Sequence, residues 1–113
     1  MIGTGYVGLV SGSCFADLGN TVYCVDNNQV KINDLNKGII PIYEPGLNEI
    51  IKKNYISNRL KFTTNLKLAI NSSDIIFICV GTPTSKNKKS ADLKYVFKAA
   101  SEISKHINKF KII

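Results

Sequence analysis

The stretch that decides the fold is Gly3-Thr4-Gly5-Tyr6-Val7-Gly8, continued by Leu9 to Leu18, Gly19, and then Thr21-Val22-Tyr23-Cys24-Val25-Asp26. The first six residues form a G-x-G-x-x-G. Gly3 suits a tight turn, Gly5 lets backbone approach a pyrophosphate, and Gly8 lets a following helix pack close to a strand. Phosphates then lie at a helix N-terminus, where unpaired N–H groups and the helix dipole favour negative charge. Glycine triplets also occur in structural turns, so the context has to carry the reading. Val7 to Leu18 reads as a helix of small residues closed by Gly19. Thr21 to Val25 alternates and is β-branched and aromatic, which predicts a strand ending at Asp26. That aspartate follows Gly8 at about the 20-residue distance at which a carboxylate meets the ribose hydroxyls of a bound dinucleotide. A carboxylate there repels a 2′-phosphate, so the pattern points to NAD rather than NADP. A helix-capping or turn aspartate is the plainer alternative. Lys31 lies about one helical turn further on, and its spacing fits a ribose contact or a solvated lysine equally well.

Working outward, Asn28 can cap a second helix reaching about Asn36, with Val30, Ile32 and Leu35 along it and Gly38 behind. A turn-forming stretch, Pro41 to Gly46, precedes a short helix from Leu47 to Asn54. Leu60 to Thr63 reads as a third strand, and Asn65 can cap a helix to about Ile70. Ile75 to Val80 is a continuous apolar run of the kind expected for a central strand covered on both faces. It ends in Val80-Gly81-Thr82-Pro83. In an open α/β sheet, ligands bind beyond the carboxyl ends of the strands, so Gly81 and Thr82 are candidates to face the same dinucleotide. A simple turn is the competing reading. Gly81 to Ala91 reads as a polar loop containing Lys86 to Lys89. A long amphipathic helix is expected from Asp92, as its cap, to about Ile107, with Leu93, Val96, Phe97, Ala100, Ile103 and Ile107 on one face.

Strands alternating with helices define an α/β protein with a Rossmann-like, doubly wound parallel sheet. Only Met1-Ile2 precede Gly3, and Phe110 to Ile113 reads as a strand just starting, so the sheet is expected to be truncated at both ends.

The bulk composition limits the function classes. A chain of 113 residues, 44% hydrophobic and 20% charged, suits one globular domain. No apolar run approaches the roughly 20 residues of a membrane helix, and Met1 to Leu9 lack the basic start of a signal peptide. The expected compartment is the cytoplasm, with no membrane partner. The net charge of +7 raises nucleic-acid binding as a possibility. Its lysines are dispersed, however, Arg59 is the sole arginine, and no aromatic residues interleave with a basic stripe. A solvated lysine surface is the better reading, with no nucleic-acid partner. Cys14, Cys24 and Cys79 show no metal or redox spacing and are expected to be buried, reduced thiols. His106 stands alone near a helix end, and Glu44 has no visible acid, base or metal partner. No metal cluster and no nucleophile–base pair is legible.

The run IGTGYVGLVSGSCFADLGNTVYCVD, followed by GIIPIYEPGLNEII, RLKFTT, IIFICVGTPT and SADLKYVFKAASEI, resembles the N-terminal part of the UDP-glucose/GDP-mannose dehydrogenase family over essentially all 113 residues. The PIYEPGL and VGTPT stretches are not general features of dinucleotide-binding folds. Within the family the chain is most similar to members that oxidise UDP-glucose. The resemblance implies NAD as cofactor and a two-step oxidation of a sugar C6 alcohol to an acid, through a cysteine-bound thiohemiacetal and thioester, serving nucleotide-sugar metabolism and polysaccharide synthesis. It implies that Gly3, Gly5, Tyr6, Val7 and Gly8 form the pyrophosphate turn, that Asp26 and Lys31 meet the adenosine ribose, and that Thr82 contacts the cofactor. The Tyr43-Glu44-Pro45-Gly46 segment matches a family signature without an assigned role. The family's nucleophilic cysteine, its oxyanion-stabilising lysine and asparagine, its central helical region and its UDP-binding domain have no counterpart in these residues. Residues 1–113 are therefore expected to be a partial N-terminal NAD-binding domain with no catalytic residue, inactive alone, whose full-length relatives oligomerise. A stand-alone dinucleotide-binding or interaction module without hydride transfer is the alternative.

Overall fold

The computed structural model describes residues 1–85 and 90–113, so Lys86 to Lys89, within the polar loop expected from Gly81 to Ala91, lie outside the described residues. The chain runs α1 (Tyr6–Asp17), β1 (Val22–Val25), α2 (Gln29–Asn36), α3 (Leu47–Ile56), β2 (Leu60–Thr63), α4 (Leu66–Asn71) and α5 (Lys94–Ser104). Local side-chain caps open two of these helices. The Asn28 side chain accepts from the Lys31 amide at 3.1 Å to open α2. Asn65 does the same for Leu68 at 2.9 Å to open α4. In each case a side-chain oxygen satisfies an N–H that has no partner inside the helix.

β1 and β2 pair in parallel, with Val22 opposite Leu60 and Val25 opposite Thr63. On its other side β1 meets the start of the chain. The Met1 ammonium donates to the Tyr23 carbonyl, Val25 donates to Met1, and Gly3 donates to Val25. The same residues reach a third segment, because Ile2 donates to Phe77 and Cys79 donates to Ile2. Parallel bridges join Ile2 to Val25 and Ile78, and Ile75 to Ile112. The order across the sheet is therefore β2, β1, residues 1–3, residues 75–79, residue 112, all parallel, as the sequence reading requires.

Side chains alternate across this sheet, as the pleat demands. Leu9 and Ala16 of α1 pack with Cys24 and Val22, together with Ile32 and Leu35 of α2, Leu47 and Ile51 of α3, and Leu60 and Phe62 of β2. Phe77 points to the same layer as α1, where its ring stacks on Phe15 at 5.3 Å. Ile2, Ile76 and Ile78 instead join Leu66 and Ile70 of α4 and Ile103 of α5 in a second cluster. Helices thus cover both faces, which is the doubly wound arrangement.

Several expectations change. Residues 75–80 have a neighbour on each side in the sheet but are not buried on both faces, for Ile75 is 55% and Phe77 44% exposed. The physical reason is the shortness of the neighbours: Ile2 on one side and Ile112 on the other each supply a single bridge. Helix α5 is shorter than expected, and of its six-residue apolar face only Ile103 is buried, while Phe97 is 68% exposed. Ile103 lies in the last turn, which is the part of α5 that reaches the second cluster. Asp92 sits one residue before the helix cap and accepts from the Lys94 amide, so Leu93 takes the cap position without a side-chain bond. Val30 faces solvent although Ile32 and Leu35 are buried. Cys24 is buried as expected, Cys79 is half-buried, and Cys14 is exposed on the outer face of α1.

The approach of α1 to the sheet is the tightest feature. A Cβ on Gly8 would lie 2.0 Å from the Gly3 carbonyl oxygen and 3.1 Å from Cys79 Cβ. Gly3 itself has φ +106°, with the Cys79 carbonyl where its Cβ would be. Gly8→Ala must therefore push helix and turn apart. Urea unfolding is expected to show a loss of about 1–3 kcal/mol relative to wild type. Gly5→Ala, whose Cβ meets nothing within 4 Å, should unfold close to wild type.

Candidate functional site

The candidate site is built at the carboxyl ends of β1 and of residues 75–79, around the N-terminus of α1. Gly5 stands at the head of this helix with extended backbone, and no side chain caps it. No acidic residue occupies the first turn. The first amides of a helix have no partner within it, so this end offers donors and a positive dipole to an anion. Gly5, Tyr6 and Val7 are exposed, whereas Gly3 is half-buried and Gly8 buried. Gly8 and Gly3 close the turn against Cys79, and Gly5 faces open space. Division of labour among the three glycines follows from where a Cβ would go.

Asp26 stands just beyond the end of β1. Its Oδ2 accepts from the Thr4 amide at 3.0 Å and the Thr4 hydroxyl at 2.7 Å. Its Oδ1 accepts from the Asn28 amide at 3.1 Å. Lys31 brings its ammonium to 3.3 Å from Oδ2. Burial acts to raise this carboxyl, but the Thr4 and Asn28 hydrogen bonds and the Lys31 charge outweigh it and hold it below the ordinary aspartate value. Lys31 thus pairs with the candidate site carboxylate.

Gly81 and Thr82 leave the sheet directly after Cys79 and Val80, the two residues that pack on Gly3. Both are exposed. The turn, Asp26, Lys31 and the 81–82 segment therefore gather at one end of the sheet. One residue and one contact there escaped the sequence reading. Thr4 is fully buried, and only the hydroxyl between two glycines could have marked it. Glu44, for which no acid, base or metal partner is legible in the sequence, accepts a hydrogen bond from the Tyr6 hydroxyl, which raises the Tyr6 phenol. Nothing in the sequence signals that contact, because the two residues are brought together by the chain between α2 and α3.

Other candidates fall away from this site. Burial pushes the Cys24 thiol up to about 12 and raises Cys79, so neither is poised as a thiolate. His106 lies beyond the last residue of α5, where its amide donates to Ile103. Among the described residues no group of three or more His, Cys, Asp or Glu is placed to hold a metal. Cavities of about 410 Å³, beside Tyr55 and Phe62, and about 470 Å³, beside Phe15 and Tyr23, lie near the starts of the strands, away from the glycine turn. Lysines 31, 53, 94, 105 and 109 pair with carboxylates, which fits a solvated basic surface. No helix among the described residues is long and apolar enough to cross a membrane.

A parallel sheet wrapped on both faces, a glycine turn feeding an uncapped helix, and a charged aspartate after the next strand define a dinucleotide-binding domain. The family model for the UDP-glucose/GDP-mannose dehydrogenase family, NAD binding domain, matches residues 1–113, and the chain belongs to that family. Its cofactor is NAD. The chain is 55% identical over 113 residues to UDP-glucose 6-dehydrogenase TuaD of Bacillus subtilis, matching all of this chain and 24% of that protein. It is 52% identical to UDP-glucose 6-dehydrogenase of Rhizobium meliloti, of which it covers 26%. Among solved structures, GDP-mannose dehydrogenase of Pseudomonas aeruginosa superposes with a TM-score of 0.89 at 41% identity, over 96% of this chain and 24% of that one. The chain spans about a quarter of the length of the curated relatives it matches.

An aspartate held below its unfolded value, near 3.9, stabilises the fold above that pH and loses the contribution as pH falls through the folded value. The gap in urea midpoint between wild type and Asp26→Asn is expected to be present at pH 7 and to shrink below about pH 4.

Proposed function

We propose that the chain is the NAD-binding portion of a UDP-glucose 6-dehydrogenase, the enzyme class that oxidises UDP-glucose to UDP-glucuronate with two NAD. The observation that carries the cofactor site is the Asp26 carboxylate, held charged beside the open N-terminus of α1. The high identity to UDP-glucose 6-dehydrogenases supports UDP-glucose over other nucleotide sugars. The residues present fit the dinucleotide: open space over Gly5 admits a diphosphate, and no carboxylate in the first helical turn repels it.

In this reading the amides at Gly5, Tyr6, Val7 and Gly8 donate to the diphosphate, and Gly3 and Gly8 keep the turn low enough for backbone to approach it. Asp26 accepts from the adenosine ribose hydroxyls and excludes a 2′-phosphate by charge repulsion. Lys31 steadies Asp26 and flanks the ribose. Gly81 and Thr82 contact the cofactor from the neighbouring loop. Bound NAD supplies a hydride acceptor. The residues described contain no nucleophile, acid or base placed to act on a sugar, so residues 1–113 serve as the cofactor-binding part of a longer catalytic unit. Alone they turn over no UDP-glucose. Sugar recognition and oligomer contacts belong to that larger unit, the protein works in the cytoplasm, and its product feeds polysaccharide synthesis.

Fluorescence titration with NADH and NADPH tests the site. Wild type should bind NADH saturably and NADPH weakly, and Asp26→Ala should lose that preference. Gly5→Ala, whose added Cβ meets no protein atom within 4 Å, should weaken both cofactors by crowding the diphosphate. A folded wild-type sample that binds no NADH would remove the cofactor assignment. Steady turnover of UDP-glucose by the purified chain would overturn its proposed inactivity.

A further inference from the structure

We propose that Thr4 is a positioning residue that sets the cofactor preference by fixing which oxygen of Asp26 is offered to the ribose. The assignment rests on the NAD-site reading given above. Thr4 occupies a variable place in the glycine motif, yet its side chain is fully buried and its hydroxyl and amide converge on one oxygen, Oδ2 of Asp26. The Lys31 ammonium reaches the same oxygen at 3.3 Å. A carboxylate oxygen has about two lone-pair sites, so three donors saturate Oδ2. Oδ1 carries one bond, from the Asn28 amide, and keeps acceptor capacity. The carboxylate cannot turn about its own axis without breaking the bonds to Thr4. The ligand therefore meets Oδ1 in a fixed direction, and a ribose diol finds an acceptor that needs no rearrangement.

Thr4 also ties the two parts of the site together. It lies between Gly3 and Gly5, so the residue that orients the ribose acceptor belongs to the turn that approaches the diphosphate. Removing the hydroxyl leaves Oδ2 only the Thr4 amide and the Lys31 ammonium, so the Lys31 charge, set against the carboxylate from α2, can draw it out of line. Held away from its ribose position, Asp26 no longer opposes a 2′-phosphate as strongly. A role limited to filling space would be met equally well by valine, which has nearly the same shape.

Three proteins decide the matter: wild type, Thr4→Val and Thr4→Ser. NADH and NADPH titrations should show Thr4→Val binding NADH about tenfold more weakly, with a narrowed preference over NADPH, while Thr4→Ser matches wild type. A second readout needs no cofactor. Following the Asp26 carboxyl by NMR, its titration should move upward in Thr4→Val, because a donor to the charged form is lost, and stay low in Thr4→Ser. Thr4→Val with wild-type affinity and preference, or with an unmoved Asp26 titration, overturns the assignment. So does loss of fold in Thr4→Val alone, since a purely structural hydroxyl would then suffice. Wild type failing to bind NADH sinks the NAD-site reading itself, whereas wild-type binding with Thr4→Val unchanged sinks only the role of Thr4.

Discussion

The backbone of Met1, Ile2 and Gly3 is the element on which the remaining structure depends. It bonds to β1 on one side and to residues 77–79 on the other, so three residues join two otherwise separate halves of the sheet. Backbone N–H and C=O groups taken out of water must find partners, and here each half supplies them for the other through this short bridge. The Met1 ammonium is drawn into that ladder, and burial lowers its affinity for a proton. Gly3 ends the bridge at a positive φ, and from there the chain turns directly into α1. Everything at the candidate site inherits its position from this turn.

The consequence is an asymmetric molecule. On the side of β1 and β2, α1, α2 and α3 pack on paired strands and bury an extended cluster. On the side of residues 75–79 and 112, single bridges replace a continuous ladder, and the second cluster is small. Burial of apolar area is the main favourable term in folding, so most of it is concentrated in the first half. Most of the site's charged and capping residues lie in that half as well. Asp26, Asn28 and Lys31 follow β1 within a few residues, and Thr4 lies at the turn it closes. Gly81 and Thr82 come from the more open half, on a segment that leaves the sheet beside Gly3.

At the glycine turn, packing and chemistry impose the same demand. Gly8 is required because helix and turn touch, and that contact is what presents the free helix amides at the end of the sheet. The charge pattern agrees. One aspartate is kept ionised by donors from the turn and from α2, while the helix end beside it carries no acid. A site of this kind favours an anionic diphosphate on one side and a neutral diol on the other, which is the division found in a dinucleotide. The membership of the chain in its dehydrogenase family agrees with that physical account.

Order of elements, most helix starts, and the placement of Gly3, Gly8 and Asp26 were legible in the sequence, because each depends on local causes. Asn28 and Asn65 cap helices through side chains that reach only a few residues, and alternation in Val22 to Val25 marks a strand wherever it falls. Contacts between distant segments were not legible. The bond from Tyr6 to Glu44, the burial of Thr4 and the exposure of Phe97, Ile75 and Cys14 depend on which surfaces meet. The apolar pattern of α5 predicts a buried face, but of its six residues only Ile103 is buried, because a periodic pattern states what a helix can bury and not what is there to cover it. Turn sterics and hydrophobic period, both local, carry the fold class and the glycine–aspartate frame of the candidate site. How Asp26 is held follows instead from packing, since it requires Thr4, Asn28 and Lys31 to converge on one carboxylate across the end of the sheet.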